Sequence, residues 1–581
     1  MVFFFAFLAN VSAQVEVHSS NQVGIGTSTP QYKLHVVGDV FATGNHLGNF
    51  AGNFYLESAS NFLGTTGNYP VILKSNNVRS GYTGSVDSSN VSFGYEALLK
   101  NLNPTAGNTA VGFRTLSNAQ YYSLSNTAIG SHALYSNTTG SYNTANGDHS
   151  LYLNKNGNQN VANGYRALYN NTSGYANVAN GFDALYTNTT GGYNIANGSY
   201  ALYNNTGGSY NIANGSYALY SNTTGSNNIA NGDRSLYSNT TGSNNIANGS
   251  YALYNNTTGY SNIANGSSAL YNNTSGYRNI ANGFGALYYN TDGSYNTADG
   301  DHSLYSNTTG YQNSAIGNRA LSSSTEGSHN TAVGSYALSS NTTGSLNSAI
   351  SSQALKSNTT GKGNAAIGYL ALYYNKEGNY NTAIGYNCGT NDFNTVINNS
   401  TAIGYGATVN ASDQVRIGNN TVTSIGGYVA WSNVSDGRMK KNVRKDVPGL
   451  AFIKSLQPVT YNLDLDAVDE LIKSEEPILS DEDINIPPKS PELIEIERKS
   501  RAAKEKLVQT GFVAQEVEKA AKDVGYDFSG VDVDETGIYS LRYAEFVVPL
   551  VKAVQELSEQ NDRLLKLVDE LNKRLEKLEQ K

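Results

Sequence analysis

A 17-residue repeat through the middle of the chain sets the strongest limit on what it can fold into. Equivalent asparagines recur every 17 positions from Asn126 to Asn381, which gives 16 registers without one insertion. Looser copies begin upstream at Asn90 and Asn108, 18 residues apart. Self-similarity at a fixed short period indicates a solenoid, in which each repeat packs only on its neighbours. We therefore assign residues 90–404 to one repeat domain.

Each repeat has the residue pattern of a short β coil. The unit Asn194 to Tyr210 reads NIANG, then SYALY, then NNTGGSY. The pentad and the Ala-Leu-Tyr triplet are typical of extended segments, whereas Asn-Asn-Thr-Gly-Gly contains residues that turn the chain. This order predicts strand, corner, strand and corner in each coil of a mainly β, parallel β-solenoid or β-roll, with coils about 4.8 Å apart. Position three of the pentad is Ala in all 16 registers, so we expect it to face a tightly packed interior.

The composition excludes several classes of function. Only 39% of the 581 residues are hydrophobic and 14% are charged, against about 45–50% and 25% in an average soluble chain. A net charge of −8 gives no basic face for nucleic acid. No internal stretch approaches the ~18 apolar residues of a transmembrane segment. The single cysteine, Cys388, excludes a disulfide framework and a CxxC zinc site, and the sequence motifs indicate no cofactor and no metal site.

Titratable residues in the repeats do not form a catalytic pattern. Glycan hydrolysis needs paired carboxylates, but the aspartates here are scattered among the repeats. The histidines His132, His149, His302 and His329 are isolated along the chain. We interpret both sets as solvated corner residues. Tyrosines at position ten of the unit, such as Tyr203, are expected to stack on one another rather than on sugars.

The pattern Asn-x-Ala-Ile-Gly, as at residues 126–130, resembles the head repeats of trimeric autotransporter adhesins. The resemblance covers residues 90–404 and implies left-handed β-rolls assembled as a trimer. The family repeats are usually shorter and lack the Ala-Leu-Tyr segment, so the shape and handedness of the coil stay open. Because each unit buries little apolar surface, stability must come from stacking or from intertwined chains.

The first residues have the pattern of a secretory signal peptide. Residues 2–9 are apolar, and Ala13 ends a small-residue motif of the kind that signal peptidase cleaves. We predict a signal peptide at 1–13, truncated at its start, and hence a secreted or cell-surface protein; a buried N-terminal strand is the alternative. Residues 14–89 are expected to form an attachment or capping region.

The composition changes near residue 434. Residues 435–581 hold 23 of the 37 Lys and Arg and 30 of the 45 Asp and Glu. Four sequence blocks stand out in this region: Ser435–Val443, Leu456–Tyr461, Gly511–Val517 and Tyr543–Val551. In this order they resemble the intramolecular chaperone domain of phage endosialidases and tail fibres, also known as peptidase family S74. The resemblance implies a small α/β chaperone domain at 435–549, with a variable insertion at 465–505, joined to the repeats by a junction at 405–434.

The residue types of the C-terminal region limit its chemistry. No His or Cys follows residue 434, which excludes Ser–His and Cys–His catalysis there, whereas a serine nucleophile can use a desolvated lysine as its base. The resemblance implies that Ser435 is the nucleophile, that Lys440 is its base, and that the chain cuts its own Val434–Ser435 bond once. Lys441 is the rival base. Other residues that match the family motif are Asp436, Arg438, Gln515 and Glu516.

Residues 550–581 have the heptad pattern of a coiled coil. The d positions are Leu550, Leu557, Leu564, Leu571 and Leu578, and the a positions are Val554, Asn561, Val568 and Leu575. One polar a position fixes the register of the helices. Valine at a with leucine at d favours two strands, whereas the family resemblance implies three, and we expect a homotrimer.

These features predict a secreted, trimeric fibre or surface adhesin that is assembled by a C-terminal chaperone which then releases itself. The expected ligand is a cell-surface glycan or protein. One alternative is a phage tail-spike fibre that binds or depolymerises glycans, located on a virion. Another is a structural rod whose C-terminal domain stays attached without cleavage.

Overall fold

The computed structural model describes residues 15–18, 22–25, 34–36, 71–75, 78–83, 89–101, 103, 105–428, 433–472, 491–534 and 537–580. The predicted signal peptide at 1–13 lies outside these residues. The chain divides into two compact units, residues 1–66 and 67–581. In the first unit, β2 (Gln22–Ile25) pairs antiparallel with β1 (Val15–His18) and parallel with β3 (Leu34–Val36).

The second unit begins with two antiparallel strands and continues as a ladder of short parallel ones. Strand β4 (Val71–Ser75) pairs with β5 (Val78–Thr83), and β5 pairs antiparallel with the first strand of the ladder. The ladder strands are β6 (Val91–Phe93), β7 (Thr109–Val111), β8 (Thr127–Ile129), β9 (Thr144–Asn146), β10 (Val161–Asn163), β11 (Val178–Asn180), β12 (Ile195–Asn197), β13 (Ile212–Asn214), β14 (Ile229–Asn231), β15 (Ile246–Asn248), β16 (Ile263–Asn265), β17 (Ile280–Asn282), β18 (Thr297–Asp299), β19 (Ser314–Ile316), β20 (Thr331–Val333), β21 (Ser348–Ile350), β22 (Ala365–Ile367), β23 (Thr382–Ile384), β24 (Thr401–Ile403) and β25 (Val415–Ile417).

Each ladder strand pairs in parallel with the next one along the chain. In most pairs, the residues that face each other are 17 positions apart in the sequence. Ile195 lies opposite Ile212, for example, and Ala196 opposite Ala213. The predicted parallel β-solenoid of 17-residue coils is therefore confirmed, with about 19 turns. Strand β25 adds a further parallel strand within residues 405–434, the segment predicted to be a junction.

The second half of each coil differs from the prediction, because the Ala-Leu-Tyr segment is not a strand. Tyr200 and Leu202 lie in the left-handed region at φ 59° and 52°, and the residue between them does not. The backbone N–H of Leu202 donates to Ala218 O of the following coil at 2.9 Å, and that of Tyr200 donates to Phe182 O of the preceding coil at 2.9 Å. Hydrogen bonds in both directions hold these non-glycine residues in a conformation that costs energy locally.

The interior of the coil is narrow and partly polar. It contains alanine and leucine columns, such as Ala196 and Leu202, both fully buried. Two further columns are buried asparagines, at positions one and twelve of the unit. At position one, Asn211 donates from both its backbone N–H and Nδ2 to Asn194 Oδ1, at 3.0 and 3.2 Å. At position twelve, Asn222 Nδ2 donates to the equivalent Oδ1 one coil earlier at 2.8 Å. These amide ladders satisfy the polar groups that the fold buries.

The C-terminal region combines short strands with helices. Its elements are the 3₁₀ turn Gly437–Met439, α1 (Leu450–Ser455), β26 (Val459–Tyr461), α2 (Leu465–Ile472), α3 (Pro491–Lys506), β27 (Gln509–Gly511), α4 (Ala514–Asp523), β28 (Val531–Val533), β29 (Tyr539–Leu541), the 3₁₀ turn Tyr543–Phe546 and α5 (Val547–Glu579). Strands β26 and β27 form one antiparallel pair, and β28 and β29 form another. A small core that includes Phe452, Val517 and Phe528 joins α1, α4 and the segment before β28.

The last coils of the solenoid contact the C-terminal region through polar groups. Asn410 Nδ2 donates to Asp534 Oδ2 at 2.7 Å, and Lys504 Nζ donates to Val422 O at 2.6 Å. Tyr405 donates to Glu497, and burial together with this carboxylate raises the pKa of Tyr405. These contacts hold the C-terminal region against the last coils of the solenoid.

Helix α5 confirms the predicted C-terminal helix and begins three residues before the first d position. Its first turns pack on α1, where Glu556 Oε2 accepts from the backbone N–H of Leu450 at 2.7 Å and Ala553 is buried. Among the described residues, no helix combines the length and the apolar character needed to cross a membrane.

Candidate active site

A tight turn after the solenoid brings two of the predicted site residues together. The 3₁₀ turn Gly437–Met439 reverses the chain, and the backbone N–H of Lys440 donates to Gly437 O at 3.2 Å. This reversal returns the Lys440 side chain to Ser435, where Nζ donates to Oγ at 2.8 Å. A spacing of five residues across one turn is therefore enough to form a serine–lysine pair.

Asp436 and Arg438 hold this turn in shape. The Asp436 carboxylate caps the turn by accepting from the backbone N–H of Arg438 at 2.9 Å. The guanidinium of Arg438 folds back onto the same carboxylate, with Nη2 and Oδ2 2.6 Å apart. Hydrogen bonds from Arg438 lower the pKa of Asp436, so the cap stays ionised well below neutral pH. Both residues therefore stabilise the turn that brings the serine and the lysine together.

The serine–lysine pair lies open to solvent in the single chain. Ser435 and Lys440 are exposed, and Val434 keeps 83% of its surface accessible. Within the described part of the chain, the rival base Lys441 forms no hydrogen bond or ion pair. A lysine acts as a base near neutral pH when water is excluded from it, and among the described residues nothing covers Lys440.

The structure does not bring the third motif block to the serine. Gln515 and Glu516 lie exposed in the first turn of α4. Among the described residues, neither has a hydrogen bond or ion pair with Ser435 or Lys440. Any role of these two residues in the site therefore requires a contact that a single chain does not make.

The predicted coiled-coil seam on α5 is exposed in the described part of the chain. Its apolar members each expose 47–70% of their surface, and Asn561 is exposed among them. These apolar members are Leu550, Val554, Leu557, Leu564, Val568, Leu571, Leu575 and Leu578. A continuous exposed apolar stripe of this length is typical of a helix that associates with other helices.

One face of the solenoid carries a second exposed apolar stripe. Towards the C-terminal end of the solenoid, position four of the repeat unit is aliphatic. Its side chain is 38–44% exposed at Ile316, Ile350, Ile367, Ile384 and Ile403. In the central coils the pattern inverts, so that isoleucine occupies position two and asparagine position four. There Asn197 Nδ2 donates to Asn214 Oδ1 at 2.8 Å, in an exposed ladder. Position two or position four is therefore apolar in most coils, whereas both are polar at β9 and β18.

The tyrosines at position ten stack as predicted. Neighbouring rings lie 5.0–5.4 Å apart, nearly parallel. The column contains Tyr135, Tyr152, Tyr169, Tyr186, Tyr203, Tyr220, Tyr237, Tyr254, Tyr271, Tyr288 and Tyr305. Because each ring face covers the next, a sugar ring could stack only at the two ends of the column.

Comparison with known proteins gives no matching family model and no matching curated protein. The likeness of the four C-terminal blocks to the phage chaperone domain therefore stays a prediction from those motifs. What the structure adds is the geometry of the serine, the lysine and their turn.

Proposed function

We propose that this chain is a secreted fibre protein whose C-terminal region aligns three chains and then cuts the bond between Val434 and Ser435. The observation that carries the proposal is the 2.8 Å hydrogen bond from Lys440 Nζ to Ser435 Oγ. The pair lies where the repetitive solenoid meets the C-terminal region of different composition. A cut at this point would separate the solenoid from the region that assembles it.

The chemistry of the cut follows from the positions of the two side chains. Ser435 Oγ attacks the carbonyl carbon of Val434, and the hydroxyl proton passes to Lys440 Nζ. The carbon–nitrogen bond then breaks, and the Ser435 nitrogen takes the proton back from Lys440. The resulting ester between Val434 and Oγ is hydrolysed by water. The products are a Val434 carboxylate and a new N-terminal Ser435, so each chain reacts once.

Assembly would switch this chemistry on. Lys440 and Ser435 are exposed in the single chain, whereas a lysine base requires exclusion of water. Association through the α5 seam, continued by the apolar face of the solenoid, would bring neighbouring chains over the turn. Identical repeats can pair in shifted registers, so an end-piece that aligns three chains first would set the correct one. Cutting afterwards would make the alignment irreversible.

The cleavage is tested by the mass of the denatured full chain, since the polar contacts described above can hold two pieces together. We expect wild type in two pieces, with Ser435 at the new N-terminus. Ser435→Ala and Lys440→Ala should stay whole, and Lys440→Arg should too because a guanidinium stays protonated. The control is Lys441→Ala, which should be cut normally. An uncut wild type, or a cut Ser435→Ala chain, would contradict the proposal.

The assembly is tested separately with the uncut Ser435→Ala chain in equilibrium sedimentation. We expect a trimer, and we expect the further pair Leu564→Asp and Leu571→Asp to dissociate it because charge would be buried in the seam. The matched control, Lys566→Asp, changes a residue on the opposite side of the helix and should leave the trimer intact. A monomeric Ser435→Ala chain would refute the assembly role whatever the result of the cleavage test.

A further inference from the structure

We propose that His132, His149 and Asp148 form a binding site for a divalent transition-metal ion that prefers imidazole ligands, such as Zn²⁺ or Cu²⁺. The two histidines occupy position seven of consecutive coils. They are 17 residues apart in the chain but only one coil apart in space. Their rings lie 4.9 Å apart at 23°. One candidate ligand atom from each of the three residues lies within 4.8 Å of the others. The sequence interpretation of these histidines as isolated is therefore wrong for this pair.

Each of the two rings has a polar partner at Nδ1. His149 Nδ1 lies 2.9 Å from Asp148 Oδ2, and His132 Nδ1 lies 2.9 Å from Ser131 Oγ. A separation of 2.9 Å between His149 Nδ1 and Asp148 Oδ2 is one that two ligands of a single metal ion can have, so an ion can take the place of the proton between them. Two imidazole nitrogens and a carboxylate are ligands that Zn²⁺ and Cu²⁺ accept.

The solenoid fixes the backbone of both histidines before any ion binds. Their φ angles are 57° and 58°. The N–H of His149 donates to Ser131 O at 2.9 Å, and that of His132 donates to Phe113 O at 2.8 Å. The aromatic rings of Phe113 and Tyr135 pack edge-on against His132.

The cationic neighbours of the pair are already neutralised. Arg114 lies one coil before His132 and pairs with Glu96 at 2.8 Å. Arg166 lies one coil after His149 and pairs with Asp183 at 2.6 Å. Because each guanidinium has its own carboxylate, the Asp148 charge remains available to an incoming cation.

The same chain contains a matched single-histidine site. Asp301 and His302 occupy the same two positions as Asp148 and His149, with His302 Nδ1 3.1 Å from Asp301 Oδ1. The preceding coil carries Gly285 at position seven, and the following coil carries Arg319. This site therefore has the carboxylate and one imidazole without the second, and it should bind a metal far more weakly.

The test is calorimetric titration of the untagged full chain with Zn²⁺, together with the nitrogen splitting of bound Cu²⁺ in electron paramagnetic resonance. We expect one site per chain with two nitrogen ligands. His132→Asn should weaken binding at least tenfold, because asparagine keeps the left-handed backbone but removes a ligand. His302→Asn, the matched control, should leave the affinity unchanged.

A gain-of-site variant makes the test independent of lost folding. Gly285 has φ +61°, and an added Cβ would lie 3.4 Å from Tyr305 and 3.5 Å from His302, which is ordinary contact. Gly285→His should therefore complete a second pair with His302 and raise the stoichiometry to two ions per chain. The proposal is overturned if wild type binds no Zn²⁺, if His302→Asn weakens binding as much as His132→Asn, or if the folded Gly285→His chain gains no second site.

Discussion

Replacing one buried asparagine should destabilise the solenoid far more than replacing an exposed one in the same coil. Asn211 and Asn214 are three residues apart and both belong to amide ladders. Asn211 is fully buried, whereas Asn214 faces solvent. The pair Asn211→Ala and Asn214→Ala therefore separates the effect of burial from that of residue type and position.

The expected magnitude follows from the hydrogen bonds of each side chain. Asn211 Nδ2 donates to Asn194 Oδ1 and to Gly225 O, at 3.2 and 2.9 Å. Its Oδ1 accepts from the backbone N–H and Nδ2 of Asn228, at 3.0 and 3.2 Å. Truncation leaves that backbone N–H buried without its partner, at about 1–3 kcal/mol, and loses about 0.5–1.5 kcal/mol for each other bond. Together these contributions predict a loss of about 2.5–7.5 kcal/mol for Asn211→Ala.

The exposed variant should cost little, because water replaces the partners of Asn214 and exposed substitutions usually change stability by about 0.5 kcal/mol. The assay is guanidinium unfolding followed by circular dichroism, with the midpoints of both variants compared with wild type. Equal losses in the two variants, or a loss below about 1 kcal/mol for Asn211→Ala, would refute the view that the buried ladder stabilises the coil.

Three further predictions concern the same solenoid. Gly198→Ala should prevent neighbouring coils from stacking, because Gly198 has φ +148° and the added Cβ would lie 2.4 Å from a backbone oxygen. Gly207→Ala should fold, because its Cβ would have one neighbour within 4 Å, at 3.7 Å, and circular dichroism distinguishes the two variants. Deleting the whole unit 211–227 should leave a protease-resistant solenoid, and deleting nine residues from its start should not, because strand faces would then mismatch. Burial raises the pKa of the Cys388 thiol to about 11, so the thiolate is scarce at pH 8 and iodoacetamide should label the folded chain far more slowly than the unfolded one.

The sequence predicted the coil well because its period is direct evidence of stacking. The invariant alanine at positions such as Ala196 identified the buried side of the strand correctly. The Ala-Leu-Tyr segment could not be read the same way, because residues such as Leu202 occupy a left-handed conformation that composition does not reveal. The role of Asn194 and its equivalents was missed for a related reason. Asparagine is common in turns, and only the narrow interior shows that these side chains bond between coils.

The candidate site was predictable only in part. The family resemblance, and not the residue types alone, paired Ser435 with Lys440, and the turn capped by Asp436 brings their side chains together. Their exposure could not be foreseen, because it depends on what covers the turn. The sequence analysis missed the histidine pair. The 17-residue period could have revealed it, because His132 and His149 occupy the same position of consecutive coils. Superposing all repeats on one coil before judging single residues would have found it.

The neighbour-to-neighbour bonding of the coils also determines how the solenoid would respond to force. In the described part of the chain, each ladder strand pairs with the strand before it and, except for the last, with the strand after it. Tension along the axis would therefore act on these interfaces in series, and coils would detach one at a time. Each 17-residue coil releases roughly 50 Å of extended chain beyond its rise, from about 3.4 Å per residue. Stretched from its ends, the solenoid would lengthen in many nearly equal steps, so that a sudden load is absorbed by coils before it reaches whatever holds either end.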